Sequence, residues 1–268
     1  IDDVTADLYG VAGPGDLVAA YLRARDADPR SSYGDFVAVS RPVDDELAEL
    51  LTGVVSDGII APDFAPGTVA RLAAKKRGQF LVLRAEADFV PPATETREVY
   101  GMRLTQPRDD QPIDPGLPAD VAFGMIVLRY TQSNSVVYVR AGATLGIGAG
   151  QQSRIDCTRL AGAKVDTWWQ RRSPAIREIR LTGRRQDRVN QQIDAAERQP
   201  REWMSTLDGV TFVSDGALPF RDNVDEAARH GVRVIAEPGG SIRSPDVVRA
   251  CAEHGITLLD TGARLFHH

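Results

Sequence analysis

Segments with helical spacing alternate with short apolar runs along almost the whole chain, and this alternation limits the fold more than any other feature. Leu17 to Arg25 reads as an amphipathic helix ended by Asp28-Pro29, and Phe36 to Val39 as a strand. Asp44 to Val54 reads as a helix with Pro42 just ahead of it. Val55 to Ala61 runs from strand into loop, Thr68 to Lys76 is a helix ended near Gly78, and Gln79 to Leu83 is a strand. Glu98 to Leu104 reads as one further strand, and Gln106 to Pro118, rich in Pro, Asp and Gln, as a linker or mobile loop. Ala119 to Tyr130, Ser173 to Arg180, Arg188 to Arg198, Val224 to Arg229 and Pro245 to His254 have helical spacing. Val210 to Val213, Val232 to Ile235 and Ile256 to Leu259 read as strands between them. The pattern predicts an α/β protein with helices packed on a sheet. Arg184, Arg185 and Arg188 read as a solvated helix face.

In the middle lies a hairpin that hands over to a helix. Ser135 to Arg140 is β-branched and aromatic, Ala141-Gly142-Ala143 turns the chain, and Thr144 to Ile147 returns. Gly146-Ile147-Gly148-Ala149-Gly150 follows, then Gln151-Gln152-Ser153-Arg154 and the helix from Ile155 to Lys164, which continues into Trp168-Trp169. Glycines at such a junction let backbone N–H groups approach a ligand, and a helix start favours an anion. The same glycines also suit a turn made only for packing.

Val55-Ser56-Asp57-Gly58 recurs as Val213-Ser214-Asp215-Gly216. Each copy leads through a loop with Pro, an aromatic and an acid into a helix and a strand. This order predicts two copies of one α/β unit, residues 1–112 and 113–268, whose equivalent loops flank a cleft.

A net charge of −5 argues against non-specific nucleic-acid binding. Only Lys75, Lys76 and Lys164 are lysines, so the basic residues are nearly all arginine. Cys157 and Cys251 sit among small or apolar neighbours and read as buried thiols in a reducing, cytoplasmic compartment. His230, His254, His267 and His268 lack the spacing of a zinc site, and no apolar run is long enough to span a membrane.

Six stretches, in order, resemble one family. They are Ser31 to Ala38, Val55 to Pro62, Tyr130 to Val136, Gly146 to Gly162, Pro219 to Asp225 and Arg264 to His268. Through these the chain resembles the formyl-transferring part of the bifunctional purine-biosynthesis enzymes, 5-aminoimidazole-4-carboxamide ribonucleotide (AICAR) transformylase. The resemblance implies duplicated cytidine-deaminase-like three-layer α/β/α units without zinc. It implies transfer of the formyl group of 10-formyltetrahydrofolate to the 5-amino group of AICAR, in a homodimer with sites at the subunit interface. The alternatives are a catalytically inactive folate- or nucleotide-binding homologue, and a formyltransferase for an AICAR analogue.

That reaction needs a base for a poorly nucleophilic amine, a donor for the tetrahedral oxyanion, and positioning. The resemblance places Asn134 near the formyl group and acids at Asp57 and Asp222 on the folate side, where a carboxylate can accept paired N–H bonds from the pterin. Tyr33 and Gly34 would line that pocket, with Ile155 and Phe220 as apolar walls. Arg154 would meet an anionic group such as the folate tail or substrate phosphate, or pair with a neighbouring acid. Arg264 and His268 would serve the nucleotide end, with His268 also among the catalytic candidates. The family's base and oxyanion donor form a Lys-His pair upstream of the first helix, and this chain contains no Lys-His dipeptide. The matching region begins at Asp7-Leu8-Tyr9, so the pair either precedes Ile1 or is lacking. Ala217 and Arg30 depart from the family's aromatic and apolar residues there, which implies a modified substrate pocket.

Overall fold

A computed structural model describes residues 1–86 and 88–266. The first part runs α1 (Asp3–Tyr9), α2 (Asp16–Ala27), β1 (Asp35–Ala38), α3 (Asp45–Thr52), β2 (Ser56–Ala61), α4 (Thr68–Ala73) and β3 (Leu81–Arg84). The three strands form a parallel sheet in the order β1-β2-β3. Asp2 and Asp44 cap α1 and α3, accepting from Thr5 N at 2.9 Å and Leu47 N at 2.8 Å. On one face of the sheet Val37 and Ile59 are buried in a core with Leu22, Leu47, Leu51 and Leu72. On the other, Phe36, Leu81 and Leu83 remain exposed at 45%, 55% and 45%. Parallel sheets are ordinarily covered on both faces, so this apolar face lacks a layer within the chain.

Glu98 to Leu104 is not one strand. β4 (Thr94–Val99) and β5 (Met102–Pro107) form a separate antiparallel hairpin. Tyr100 and Gly101 both take positive φ, 49° and 76°, which reverses the chain in two residues.

The second part runs α5 (Ala119–Leu128), β6 (Val136–Arg140), β7 (Ala143–Gly148), α6 (Arg154–Gln170), α7 (Pro174–Arg177), α8 (Arg185–Glu197), β8 (Val210–Ser214), α9 (Asp222–Ala228), β9 (Val232–Glu237), α10 (Ser244–His254) and β10 (Thr257–Asp260). Its five-stranded sheet has the order β10-β9-β8-β6-β7; β8, β9 and β10 are parallel, and β6 is antiparallel to both its neighbours. Both faces are covered, which is why β6 reads as an unbroken apolar run. Val136 and Tyr138 join the core containing residues of α6, α9 and α10, whereas Val137 and Val139 pack with Val121, Met125 and Leu128 of α5.

The predicted helix from Ser173 to Arg180 shrinks to the single turn of α7, and α1 was not anticipated. Arg184 is exposed as expected, but Arg185 and Arg188 of α8 are not a solvated face. Arg185 donates to Gly53 O at 2.6 Å and Tyr9 O at 3.1 Å, and Arg188 to Leu8 O at 3.3 Å. They thereby satisfy carbonyls at the C-terminal ends of α1 and α3. Val189 and Ile193 of the same helix enter the first core. The repeated tetrapeptide does not occupy one structural place: Ser56 opens β2, whereas Ser214 closes β8. What recurs is the order strand-helix-strand-helix-strand, in β1 to β3 and again in β8 to β10.

Two of the three central glycines also have a different role from the one their clustering suggests. Gly146 and Gly148 lie within β7 beneath α6. A Cβ on either would come within 2.2 Å of a helix carbonyl, that of Ala161 or Cys157. Only Gly150, with φ 67°, makes the turn. No helix among the described residues is long and apolar enough to cross a membrane.

Candidate functional site

The segment from Thr131 to Ser135 joins α5 to β6 and places Asn134 beside the start of α6. The Ser133–Asn134 peptide bond is cis. Asn134 Nδ2 donates to the carbonyls of Gln151 and Gln152 at 3.1 and 3.3 Å, and its Oδ1 accepts from Arg154 Nη2 at 2.9 Å. Arg154 opens α6 directly after the Ser153 cap, with Ile155 half-buried next to it. Arg154 is 8% exposed. The second guanidinium nitrogen forms an ion pair with Asp215 and reaches Ser214 Oγ at 3.0 Å. Arg154 thus pairs with a neighbouring acid.

Asp215 was read only as part of a repeat. It is fully buried at the end of β8. Its Oδ2 accepts from Ser133 Oγ at 2.5 Å, from Ser135 N at 3.0 Å and from Ser135 Oγ at 3.0 Å. A buried carboxylate is costly unless its lone pairs are met in this way. Cys157, buried as expected, donates its thiol to Asn134 O at 2.9 Å, and burial pushes its titration up.

The C-terminal segment returns to this cluster. Leu265 N donates to Asp215 O at 2.9 Å. A Cβ on Gly216 would meet the Phe266 ring at 2.5 Å and Arg154 Nη2 at 2.7 Å. Arg264 is exposed, and its guanidinium lies against the Gly239-Gly240 turn. His268, expected at both the catalytic and nucleotide positions, lies outside the described residues, as does His267. Phe220 follows on the loop after Asp215; it is exposed, with the Arg243 guanidinium 6.0 Å from its ring centroid. Asp222 is half-buried at the start of α9 and accepts from Asn223 Nδ2 at 2.8 Å. Glu237 supports the loop by accepting from Leu218 N at 2.8 Å; burial raises its pKa.

Tyr33, Gly34 and Asp57 are not on this sheet. They gather at the start of β1 and β2, with Gly34 N donating to Val55 O at 3.1 Å. Tyr33 is exposed, and Asp57 pairs with Lys76. Beneath them Lys75 Nζ donates to Ser56 Oγ at 2.5 Å and lies 4.6 Å from the Phe80 ring centroid; burial lowers its pKa to about 8. No sequence signal pointed to Lys75, because its burial arises from the packing of Phe80 and β2. Arg30 pairs with Glu197 at 3.0 Å and Asp194 at 3.4 Å on α8, and Ala217 is half-buried in the loop after Asp215. The predicted site residues thus form two groups, one at the head of each sheet. Among the described residues no group of three or more His, Cys, Asp or Glu is placed to hold a metal ion.

A family model for the AICARFT/IMPCHase bienzyme matches residues 6–164. The bifunctional purine biosynthesis protein PurH of Mesorhizobium japonicum is 35% identical over 276 residues, which cover 98% of this chain and 46% of that protein. PurH of Brucella anthropi is 34% identical with the same coverage, and PurH of Rhodospirillum rubrum is 33% identical, with 98% and 47% covered. The chain spans about half the length of the curated relatives it matches. On a match of this extent, the chain belongs to the AICARFT/IMPCHase bienzyme family.

Proposed function

We propose that this chain carries the formyl-transfer half of its family's chemistry, moving the formyl group of 10-formyltetrahydrofolate to the 5-amino group of AICAR. The observation that carries this reading is the Asn134–Arg154 contact, built from two of the matching stretches, with the C-terminal stretch returning beside it. Asn134 presents an amide beside the formyl carbon, where it can hold the reacting groups in place. Arg154, Ile155, Phe220 and Asp222 are assigned to the folate side and Arg264 to the nucleotide, the end for which His268 is also a candidate. Tyr33, Gly34 and Asp57 complete the folate pocket. The chain is read as two deaminase-like units, 1–112 and 113–268. The recurrence of strand-helix-strand-helix-strand supports this division.

The two groups of site residues occupy different sheets, which supports a homodimer in which one subunit's Asp57 group faces the other's Asn134 group. The bare apolar face of Phe36, Leu81 and Leu83 supports the same assembly. The free, buried thiols Cys157 and Cys251 suit the reducing cytoplasm.

The test is incubation with AICAR and 10-formyltetrahydrofolate, with both products followed by mass spectrometry. Formylated AICAR and tetrahydrofolate should appear in equal amounts, and Asn134→Ala should reduce the rate about a hundredfold. Neither transfer nor saturable binding of either compound would overturn the reading.

A further inference from the structure

We propose that Asp215 is a positioning residue for this reaction, acting through Arg154 on the side-chain amide of Asn134. The inference rests on the reading of Asn134 given above. A guanidinium only donates, so Arg154 Nη2 at 2.9 Å selects the oxygen end of the Asn134 amide. The amide nitrogen is thereby turned to the Gln151 and Gln152 carbonyls, in the turn that leads into α6. Arg154 cannot set this direction unless it is held itself. Its other nitrogen is fixed by Asp215 and by Ser214 Oγ at 3.0 Å.

Asp215 is fully buried, and Arg154 is the predicted site residue with which it forms an ion pair. Its second oxygen is locked by Ser133 Oγ, Ser135 N and Ser135 Oγ, the residues on either side of Asn134. One carboxylate therefore grips both the backbone that carries Asn134 and the arginine that orients its side chain. This double hold from a strand ended 80 residues later in the chain is more than a core ion pair requires. Preorganisation of this kind affects the transition state through a few tenths of an ångström in the group it holds.

The experiment uses Asp215→Asn, which keeps the shape and removes the charge, in the full chain labelled with ¹⁵N-asparagine. Loss of one signal pair in Asn134→Ala identifies the Asn134 amide. In Asp215→Asn that pair should move toward the position of exposed amides, and its hydrogen exchange should quicken about tenfold. In turnover, Asp215→Asn should lower kcat about tenfold and leave the KM for AICAR within about twofold. In the Asn134→Ala background it should lower kcat less than about twofold, because the residue it acts through is gone. Ser135→Ala, which removes one donor to Asp215, should shift the same signals to a smaller extent and serves if Asp215→Asn does not fold. An unmoved Asn134 signal in a folded variant, or full multiplicative losses in the double variant, would overturn the proposal. The amide measurement needs no turnover, so absent transfer with a shifted signal would count against the formyl-transfer reading alone.

Discussion

Asp26 lies 1% exposed between two arginines that follow it by about 145 positions. Its Oδ1 meets Arg171 Nη2 at 2.6 Å and its Oδ2 meets Arg172 Nη2 at 2.8 Å, with Thr5 Oγ1 at 3.1 Å. Gln192 takes Arg171 Nε at 2.9 Å, so α1, α2, the end of α6 and α8 are joined through Asp26 and Arg171. Removing one member of a buried pair leaves an uncompensated charge. Asp26→Ala should therefore lower unfolding free energy by about 3–5 kcal/mol in urea titration, whereas Arg30→Ala on the exposed surface should cost less than about 1 kcal/mol. None of this is legible in the sequence, where Asp26 and Arg171 are ordinary charged positions and only tertiary placement makes them partners. Lys75 shows the same limit. Burial lowers its pKa from 10.5 to about 8, so a folded chain holds it partly neutral at pH 8. After reductive ¹³C-methylation, its NMR signal should titrate near 8, and Phe80→Ala, which opens the site, should move it toward 10.5. Because the folded pKa is below the unfolded value, the sign is a gain in stability as pH rises from about 8 to 10.5.

At the scale of elements, the contact of β7 with α6 depends on missing side chains. Gly148→Ala would push a Cβ to 2.2 Å from Cys157 O, and the backbone of α6 can yield only by leaving β7. An overpacking cost of about 1–3 kcal/mol is expected in chemical denaturation, with Asn134 displaced because Gln151 and Arg154 follow directly. The sequence marked this junction by its glycines and gave the strand, turn and helix correctly. It could not say which glycines turn the chain and which admit a helix, since both uses select the same residue. The hairpin of β4 and β5 was missed for a related reason: Tyr100-Gly101 takes a reversal conformation that tyrosine seldom adopts. α9 and α10 are tied by Arg221, which reaches Asp225 at 3.0 Å and Glu253 at 2.7 Å, and by His254 at 2.8 Å from Asp225. The Arg221 hydrogen bond holds Asp225 down at about 2 against a usual 3.8. A depressed folded pKa gives stability that is present above 3.8 and lost as pH falls toward 2. Thermal unfolding followed over that window should show wild type losing more stability than Asp225→Asn.

Across the whole molecule the alternation of helix and strand was enough to give an α/β protein. The tetrapeptide that first suggested duplication falls at opposite ends of β2 and β8, whereas the order of strands and helices around it recurs. The matching stretches named the candidate residues, but their division between two sheets was invisible until the chain was folded. That division, with the exposed face of Phe36, Leu81 and Leu83, argues for assembly. Leu81→Glu with Leu83→Glu should convert a dimer to monomers in sedimentation equilibrium without loss of helix content. We propose that Asp57 of one subunit and Asn134 of another serve one folate site. The direct measurement mixes Asp57→Ala with Asn134→Ala, allows subunits to exchange, and counts 10-formyltetrahydrofolate sites by equilibrium dialysis. Each variant alone should bind weakly, and the mixture should regain about a quarter of the wild-type sites, because half the dimers are mixed and each of these holds one intact pocket. Binding in the mixture no greater than in the separate variants would contradict it.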